Sequence, residues 1–159
     1  MQRMVGIGEL IISDTPGDVL VAPNLGSCLG IAVYDKANKK GGLIHCMLPM
    51  STSNPEKAAN QPTLYVDTGV VVMLNKLMGA GVTKKDLLLV VAGGSNINDQ
   101  NNVFEIGKKN YTVLRKVLWK NGILIKNEHV GESFSRTVSL QIDSGEVWLK
   151  FNGQTIQLA

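Results

Sequence analysis

The sequence predicts an α+β, layered α/β fold in which two packed helices lie on mixed, largely antiparallel sheets. Short apolar segments bounded by turn residues recur along the whole chain, and two longer segments repeat their apolar residues at helical spacing. The chain also ends in a meander, because Asp143-Ser144-Gly145 and Asn152-Gly153 mark two hairpins. At 159 residues the chain fits one domain, residues 1–159, large enough to bury a core without disulfides or metals.

The first part of the chain is predicted to be all strand. Turn formers such as Ser13, Asp14 and Gly17 separate the first two apolar runs, and a polar loop, 35–41, separates the last two. The predicted strands are Met4–Ile12, Val19–Ala22, Leu29–Tyr34 and Gly42–Leu48. The last two form a hairpin that brings their outer ends together.

Helices enter after a polar loop at 51–61. Pro62 can begin a helix that continues to Met78, and a second helix spans Ile106–Lys120 with its lysines outward. Between them, the run from Asp86 to Ala92 is apolar on both faces, as in a central strand, and an Asn-rich loop follows it through Asn102. The remaining strands are predicted at Ile123–Asn127, Arg136–Ile142, Glu146–Phe151 and Thr155–Leu158.

Composition excludes several classes of function. A formal charge of +3 and 5% aromatic residues are too little for a nucleic-acid binder that relies on a basic patch and stacking. No apolar run reaches the ~20 residues of a membrane span, and Gly8-Glu9 interrupts the N-terminal run where a signal peptide needs continuity. We therefore expect a cytoplasmic protein, not inserted in a membrane, whose cysteines stay reduced.

The candidate chemistry centres on Cys28 and His45. Cys28 follows Gly26 and Ser27, which let the backbone approach a ligand, and His45 lies on the returning strand of the predicted hairpin. A cysteine with a histidine base is the minimum for thiol nucleophilic catalysis. The alternative is structural, since a free cysteine is often a small buried hydrophobe and a buried histidine can simply bond a backbone carbonyl.

The residues near Cys28 and His45 limit the kinds of site that the two can form. Cys46 must face away from His45 because adjacent strand residues point to opposite faces, so we expect it in the core. The same divergence argues against a zinc site, and we expect no metal and no cofactor. Gly93-Gly94 lacks the lysine of a phosphate-binding loop; a tight strand-exit turn is the favoured interpretation. Gly26, Ser27, Gly93 and Gly94 are the candidates for an oxyanion-binding or substrate loop.

An ordered set of motifs resembles the CheD family of chemoreceptor glutamine deamidases from about Val5 to Phe151. They are Leu25-Gly26-Ser27-Cys28, His45 with Met47-Leu48-Pro49, Tyr65-Val66-Asp67-Thr68, Ala92-Gly93-Gly94, Ile106-Gly107 with Asn110, and Arg136 with Val138. The resemblance implies a layered α/β fold and an amidohydrolase that converts receptor glutamines to glutamates, with Cys28 as nucleophile and His45 as base. It also implies two partners, the chemoreceptor cytoplasmic domain and a CheC-type phosphatase.

The chain departs from that pattern at Ala22, where the family often has a threonine that orients the histidine. Alanine has no side-chain acceptor, so a backbone carbonyl or another residue must hold His45. We further expect an imidazolium at His45 to lower the pKa of the Cys28 thiol.

Two other interpretations stay open. A CheD-like module with little or no catalysis could mainly regulate a CheC-type phosphatase, as Ala22 and altered loops around Asn96 and His129 suggest. A third hypothesis is a deamidase or amidase acting on a different protein.

Overall fold

The computed structural model describes residues 1–97 and 104–159. Within these ranges the strands are β1 Gln2–Met4, β2 Leu10–Ser13, β3 Val19–Leu25, β4 Leu29–Asp35, β5 Lys40–Cys46, β6 Leu87–Gly93, β7 Asn127–Val130, β8 Arg136–Gln141, β9 Val147–Phe151 and β10 Gln154–Gln157. The helices are α1 Pro55–Asn60, α2 Val66–Gly79 and α3 Ile106–Lys120. None of them is long and apolar enough to cross a membrane.

The strands form two five-stranded sheets. The outer sheet has the order β1-β3-β8-β9-β10, and the central sheet has the order β2-β5-β4-β6-β7. The pairs β1–β3 and β6–β7 are parallel, and the other neighbouring strands are antiparallel. Both sheets are therefore mixed or largely antiparallel, and the C-terminal meander is confirmed as β8-β9-β10.

Two apolar cores separate three layers. One core joins the outer and central sheets, and the other joins the central sheet to α2 and α3. Strand β4 lies in the middle of the central sheet and contributes to both cores, so all seven of its residues are buried. Alternation directs Ala32 towards the outer sheet and Ile31 towards the helices. This layering confirms the predicted fold class.

The N-terminal prediction is partly wrong. Instead of one strand from Met4 to Ile12, the chain forms β1 in the outer sheet and β2 in the central sheet, joined by a turn over residues 5–9. Gly8 adopts a φ of 78° within this turn, a conformation that few residues other than glycine tolerate. In this crossing Val5 is buried but Met4 and Ile7 are exposed, so the run of apolar residues from Met4 to Ile12 does not mark one buried strand.

Three further differences are local. The polar segment 51–61 contains α1, whose N-terminus is capped by the Asn54 side chain accepting from the Lys57 N–H at 3.2 Å. Residues 62–64 form a 3-10 turn, so α2 begins later than predicted. Strand β6 is an interior strand of its sheet, although β4 is the middle one. Most of the predicted Asn-rich loop lies at 98–103, outside the described residues.

Candidate active site

Cys28 lies where the chain crosses from one sheet to the other. Strand β3 of the outer sheet ends at Leu25, β4 of the central sheet begins at Leu29, and residues 26–28 form the corner between them. Gly26 and Ser27 are partly exposed, whereas Cys28 is 8% exposed and packs in the core between the sheets. The corner therefore presents a thiol at the rim of a dry layer, with backbone that solvent can reach.

His45 faces the same inter-sheet layer. It is paired with Gly30 across the β4–β5 ladder, two residues along from Cys28, and alternation directs its side chain to the face of the central sheet that meets the outer sheet. The residue opposite His45 is a glycine, and the Leu25 and Val138 side chains lie over it. Cys46 packs with the helical core instead, where its Sγ lies 3.9 Å from the Tyr65 carbonyl oxygen. The prediction that His45 and Cys46 face opposite sides of the sheet, with Cys46 in the core, is confirmed.

The N-terminal turn holds His45 in place. The imidazole Nδ1 lies 3.0 Å from the Val5 carbonyl oxygen, and Val5 is itself fixed by its N–H donating to the Val21 carbonyl at 2.7 Å. The His45 N–H donates to the Glu9 carbonyl, and the His45 carbonyl accepts from the Gly8 N–H. A backbone carbonyl thus takes the orienting position that Ala22 cannot supply, which resolves the question raised by the sequence.

This contact determines which imidazole nitrogen is basic. A carbonyl can only accept, so neutral His45 carries its proton on Nδ1 and its lone pair on Nε2. Nε2 is buried and has no hydrogen-bond partner among the described residues. A general base needs such a free lone pair directed into the site.

Burial keeps both catalytic candidates neutral. It raises the pKa of the Cys28 thiol and lowers the pKa of His45, although the bond to Val5 partly offsets the latter. No hydrogen bond links Cys28 to His45 in the described structure. The expectation that an imidazolium lowers the thiol pKa is therefore wrong for this state, because desolvation disfavours both charges in the inter-sheet layer.

The corner also offers free backbone donors. In the described part of the chain, the N–H groups of Gly26 and Ser27 donate to no backbone carbonyl, whereas the Cys28 N–H is directed at its own thiol. In contrast, the Gly94 N–H donates to the Cys28 carbonyl at 2.9 Å, and the Ser95 N–H donates to the Gly26 carbonyl at 2.9 Å. Of the four loop candidates, Gly26 and Ser27 have N–H groups available for a developing oxyanion, whereas the Gly94 N–H already donates to the Cys28 carbonyl.

Gly93 lies against the corner so closely that it must be glycine. Its φ is 111°, and a Cβ there would overlap the Cys28 carbonyl oxygen. From the other side, Arg136 Nη1 donates to the Gly93 carbonyl at 3.3 Å while Arg136 Nε donates to His129 Nδ1 at 2.8 Å. The strand-exit turn at Gly93-Gly94 is thus confirmed, and it supports the Cys28 backbone.

Unsatisfied polar atoms concentrate around this corner. In native proteins nearly every buried polar atom has a partner, and each exception requires an explanation. The exceptions among the described side chains are His45 Nε2, Ser95 Oγ, Asn110 Oδ1 and Arg136 Nη2. All four residues contact the Cys28 corner or pair with its flanking strands. The same described residues contain no group of three or more His, Cys, Asp or Glu side chains that could hold a metal ion.

Sequence reasoning missed the contribution of the N-terminal turn and gave Asn110 no role beyond a resemblance. The Val5 carbonyl acts through its backbone, so no residue type could have signalled it. Asn110 could have been found, because an asparagine at a buried helical position is an unusual choice that calls for bonded partners.

Comparison with known proteins gives consistent matches. The family model described as CheD chemotactic sensory transduction matches residues 47–151. A probable chemoreceptor glutamine deamidase CheD from Solibacter usitatus is 41% identical over 99% of this chain and 93% of its own length. A second, from Syntrophus aciditrophicus, is 41% identical over 94% of each chain, and one from Thermococcus kodakarensis is 34% identical over 99% of this chain and 98% of its own. The matches to these relatives span nearly the whole chain, including the segment before residue 47 that carries Cys28 and His45.

Proposed function

The chain belongs to the CheD family, and from that premise we propose that residues 1–159 act as one domain that hydrolyses the side-chain amide of chemoreceptor glutamines to glutamate. The relatives are named as probable chemoreceptor glutamine deamidases. The observation that carries the proposal is the His45 imidazole, bonded through Nδ1 to the Val5 carbonyl and free at Nε2 on the face that also carries Cys28. The substrate is the receptor's cytoplasmic domain, and the enzyme works in the cytoplasm.

The nucleophile is activated during the reaction rather than before it. Because Cys28 and His45 are both neutral in the dry layer, His45 Nε2 accepts the thiol proton as Cys28 Sγ attacks the glutamine carboxamide carbon. This order avoids a buried ion pair in the resting protein. Entry of the glutamine side chain supplies the carbonyl on which negative charge develops.

The corner's backbone stabilises that charge. The N–H groups of Gly26 and Ser27 donate to the tetrahedral oxyanion, and each well-aligned donor contributes about 3 kcal/mol to the transition state. Gly93 and Gly94 act indirectly by fixing the Cys28 and Gly26 carbonyls, which sets the direction of the N–H groups between them.

The remaining steps return the protein to its starting state. The imidazolium of His45 gives its proton to the departing amide nitrogen, and ammonia leaves as the C–N bond breaks and the Cys28 thioester forms. His45 then takes a proton from a water that attacks the thioester. The resulting tetrahedral intermediate collapses, the C–S bond breaks, and His45 returns its proton to Cys28 Sγ as glutamate leaves. One water is consumed and one ammonia is produced, without any cofactor.

A second candidate function is regulation of a CheC-type phosphatase by binding. Its support is the closed resting site, since Cys28 is almost buried and carries a raised pKa, together with Ala22 in place of a threonine. This candidate predicts a complex with the phosphatase and no chemical change in any receptor.

The deciding experiment is intact and peptide mass spectrometry of a purified receptor cytoplasmic fragment after incubation with the protein. Each converted glutamine gains about one dalton, as expected when a hydroxyl replaces an amine. Conversion should disappear with Cys28→Ala and fall by about a hundredfold or more with His45→Ala. Cys46→Ala is the matched control, because it removes the other buried thiol from the opposite face and should leave conversion intact.

The outcomes separate the alternatives. Full activity in Cys28→Ala would exclude the mechanism, and loss in Cys28→Ala with retention in His45→Ala would keep the nucleophile but remove the base. No receptor conversion by a protein that binds the phosphatase would favour the regulatory role. Deamidation of another protein, with receptors untouched, would keep the chemistry and change the substrate.

A further inference from the structure

One buried side chain joins the two segments that carry Cys28 and His45. Asn110, which is 0% exposed on α3, donates from Nδ2 to the Ser27 carbonyl at 2.9 Å and to the Met47 carbonyl at 3.1 Å. Ser27 immediately precedes the nucleophile, and Met47 follows the histidine by two residues. A single amide nitrogen therefore connects positions 20 residues apart in sequence, one just before β4 and one just after β5.

The location of these bonds gives them their importance. The β4–β5 ladder ends at the pair Leu29–Cys46, so Ser27 and Met47 lie beyond its last pair, where strand ends open most easily. Both carbonyls belong to residues outside the strands, and the ladder itself does not hold them. Asn110 closes this end of the hairpin from the helical side, while Cys28 and His45 face the other side.

We infer that Asn110 is a positioning residue that keeps the Cys28 corner and the His45 strand at reacting distance. The inference rests on the proposed roles of Cys28 and His45. Asn110 does not touch the substrate, because it is fully buried between α3 and the central sheet.

The chemistry of the amide supports this role. An NH₂ group can donate to two carbonyls at once, which aspartate, serine or a hydrophobic residue of similar size cannot do. The other end of the side chain, Oδ1, is buried without a partner in the described structure, and an unsatisfied acceptor weakens the folded state. Anchoring α3 alone does not require an amide here, whereas holding the Ser27 and Met47 carbonyls together requires a group that donates twice.

A purely structural role makes a different prediction. If Asn110 only anchors the helix, its removal lowers activity through stability, and the loss is the same whether or not His45 is present. If it positions Cys28 against His45, most of the loss disappears once the imidazole is gone, because residues that act as a unit are not additive.

The test is a double-mutant cycle on the acylation of Cys28 by p-nitrophenyl acetate, followed by p-nitrophenolate release and by the mass of the Cys28 peptide. This activated ester has a good leaving group, so acylation remains measurable without His45. Asn110→Ala should slow acylation by about tenfold to a hundredfold in the wild-type background, because displacement of a reacting group by about 1 Å has effects of that size. In the His45→Ala background the same change should slow it by less than about twofold.

Leu114→Ala is the matched control. Leu114 is buried one turn further along α3, in the helical core, and makes no hydrogen bond to the Ser27 or Met47 carbonyl. It should lower the melting temperature at least as much as Asn110→Ala and leave acylation within about twofold of wild type. If Asn110→Ala does not fold, Asn110→Ser serves the same cycle with a smaller change in volume.

Equal slowing by Asn110→Ala in both backgrounds, or an effect matched by Leu114→Ala, would overturn the inference. Receptor deamidation is measured separately, where Asn110→Ala should lower kcat and change KM by less than about threefold. A wild-type protein that acylates Cys28 but leaves receptor glutamines intact would exclude the proposed substrate and leave the role of Asn110 standing.

Discussion

The protonation state of Cys28 at neutral pH is the sharpest consequence of the site's geometry. The thiol is almost buried, its pKa is raised above 9.0, and the neighbouring His45 has a pKa below 6.5. Replacing Cys28 by serine removes this thiol alone and provides the reference for measuring it. We expect the resting protein to contain a thiol and an imidazole rather than a thiolate and an imidazolium.

The magnitude follows from the pKa values. At pH 7, two units below 9, the thiolate fraction is about 1% or less, whereas a stable ion pair with His45 would make it nearly complete. The two states therefore differ by almost the whole ultraviolet absorbance of one thiolate. Cys46 does not interfere, because burial raises the pKa of its thiol even further.

The assay is a titration of thiolate absorbance from about pH 5 to about pH 10, recorded as wild type minus Cys28→Ser. We expect a flat difference up to about pH 8 and a rise above pH 9. In parallel, kcat/KM should fall as the pH drops through the His45 pKa, below 6.5, because protonated Nε2 cannot accept the thiol proton.

A Cys28 absorbance step below pH 7 would refute this reasoning, provided that it disappears in His45→Ala. Such a step would show that the imidazolium charge outweighs desolvation in the resting site. Proton transfer would then precede substrate binding, and the acid limb of the activity profile would belong to the ion pair rather than to His45 alone.

Three further predictions concern the surroundings of the site. Cys46→Ala should keep deamidation within about twofold of wild type and lower the urea-derived free energy of unfolding by about 1–2 kcal/mol, through a small cavity in the helical core. Gly93→Ala should lower the free energy of unfolding by at least ~1–2 kcal/mol in the same assay, because the φ of Gly93 is positive. It should also lower kcat about tenfold or more, because the added Cβ displaces the Cys28 carbonyl. An unchanged kcat would contradict the supporting role of Gly93. Burial holds the pKa values of His45 and His129 below 6.5 in the folded protein, so the unfolded chain binds protons at a higher pH than the folded one. The free energy of unfolding should therefore decline as the pH falls below about 6.5. Urea titrations at about pH 7.5 and about pH 5.5 measure the difference.

Local patterns predicted much of the fold. Apolar periodicity predicts both bounds of α3, and strand alternation predicts that Cys46 faces away from His45. These features depend on neighbours within a few residues. The hairpin whose ends carry Cys28 and His45 was predicted for the same reason, because two apolar runs joined by a short polar loop pair with each other.

Contacts between residues distant in sequence could not be predicted from local patterns. The bond from His45 to the Val5 carbonyl spans 40 residues, and the bonds from Asn110 to Ser27 and Met47 span 83 and 63. The division of ten strands between two sheets has the same origin, because it depends on which distant strands pair. Desolvation at Cys28 also required the assembled layers, which is why sequence alone indicated the wrong direction for its pKa.

The carbonyl that orients His45 has no side chain to replace. A scan that changes one residue at a time would remove Cys28 or His45 cleanly but would pass over the third partner, since every substitution at Val5 leaves its backbone oxygen in place. Side-chain mutagenesis would therefore identify Cys28 and His45 and would miss the Val5 carbonyl, which also holds the histidine. Only a change to the chain itself, such as an ester in place of the peptide bond after Val5, would weaken that acceptor and reveal its share of the catalysis.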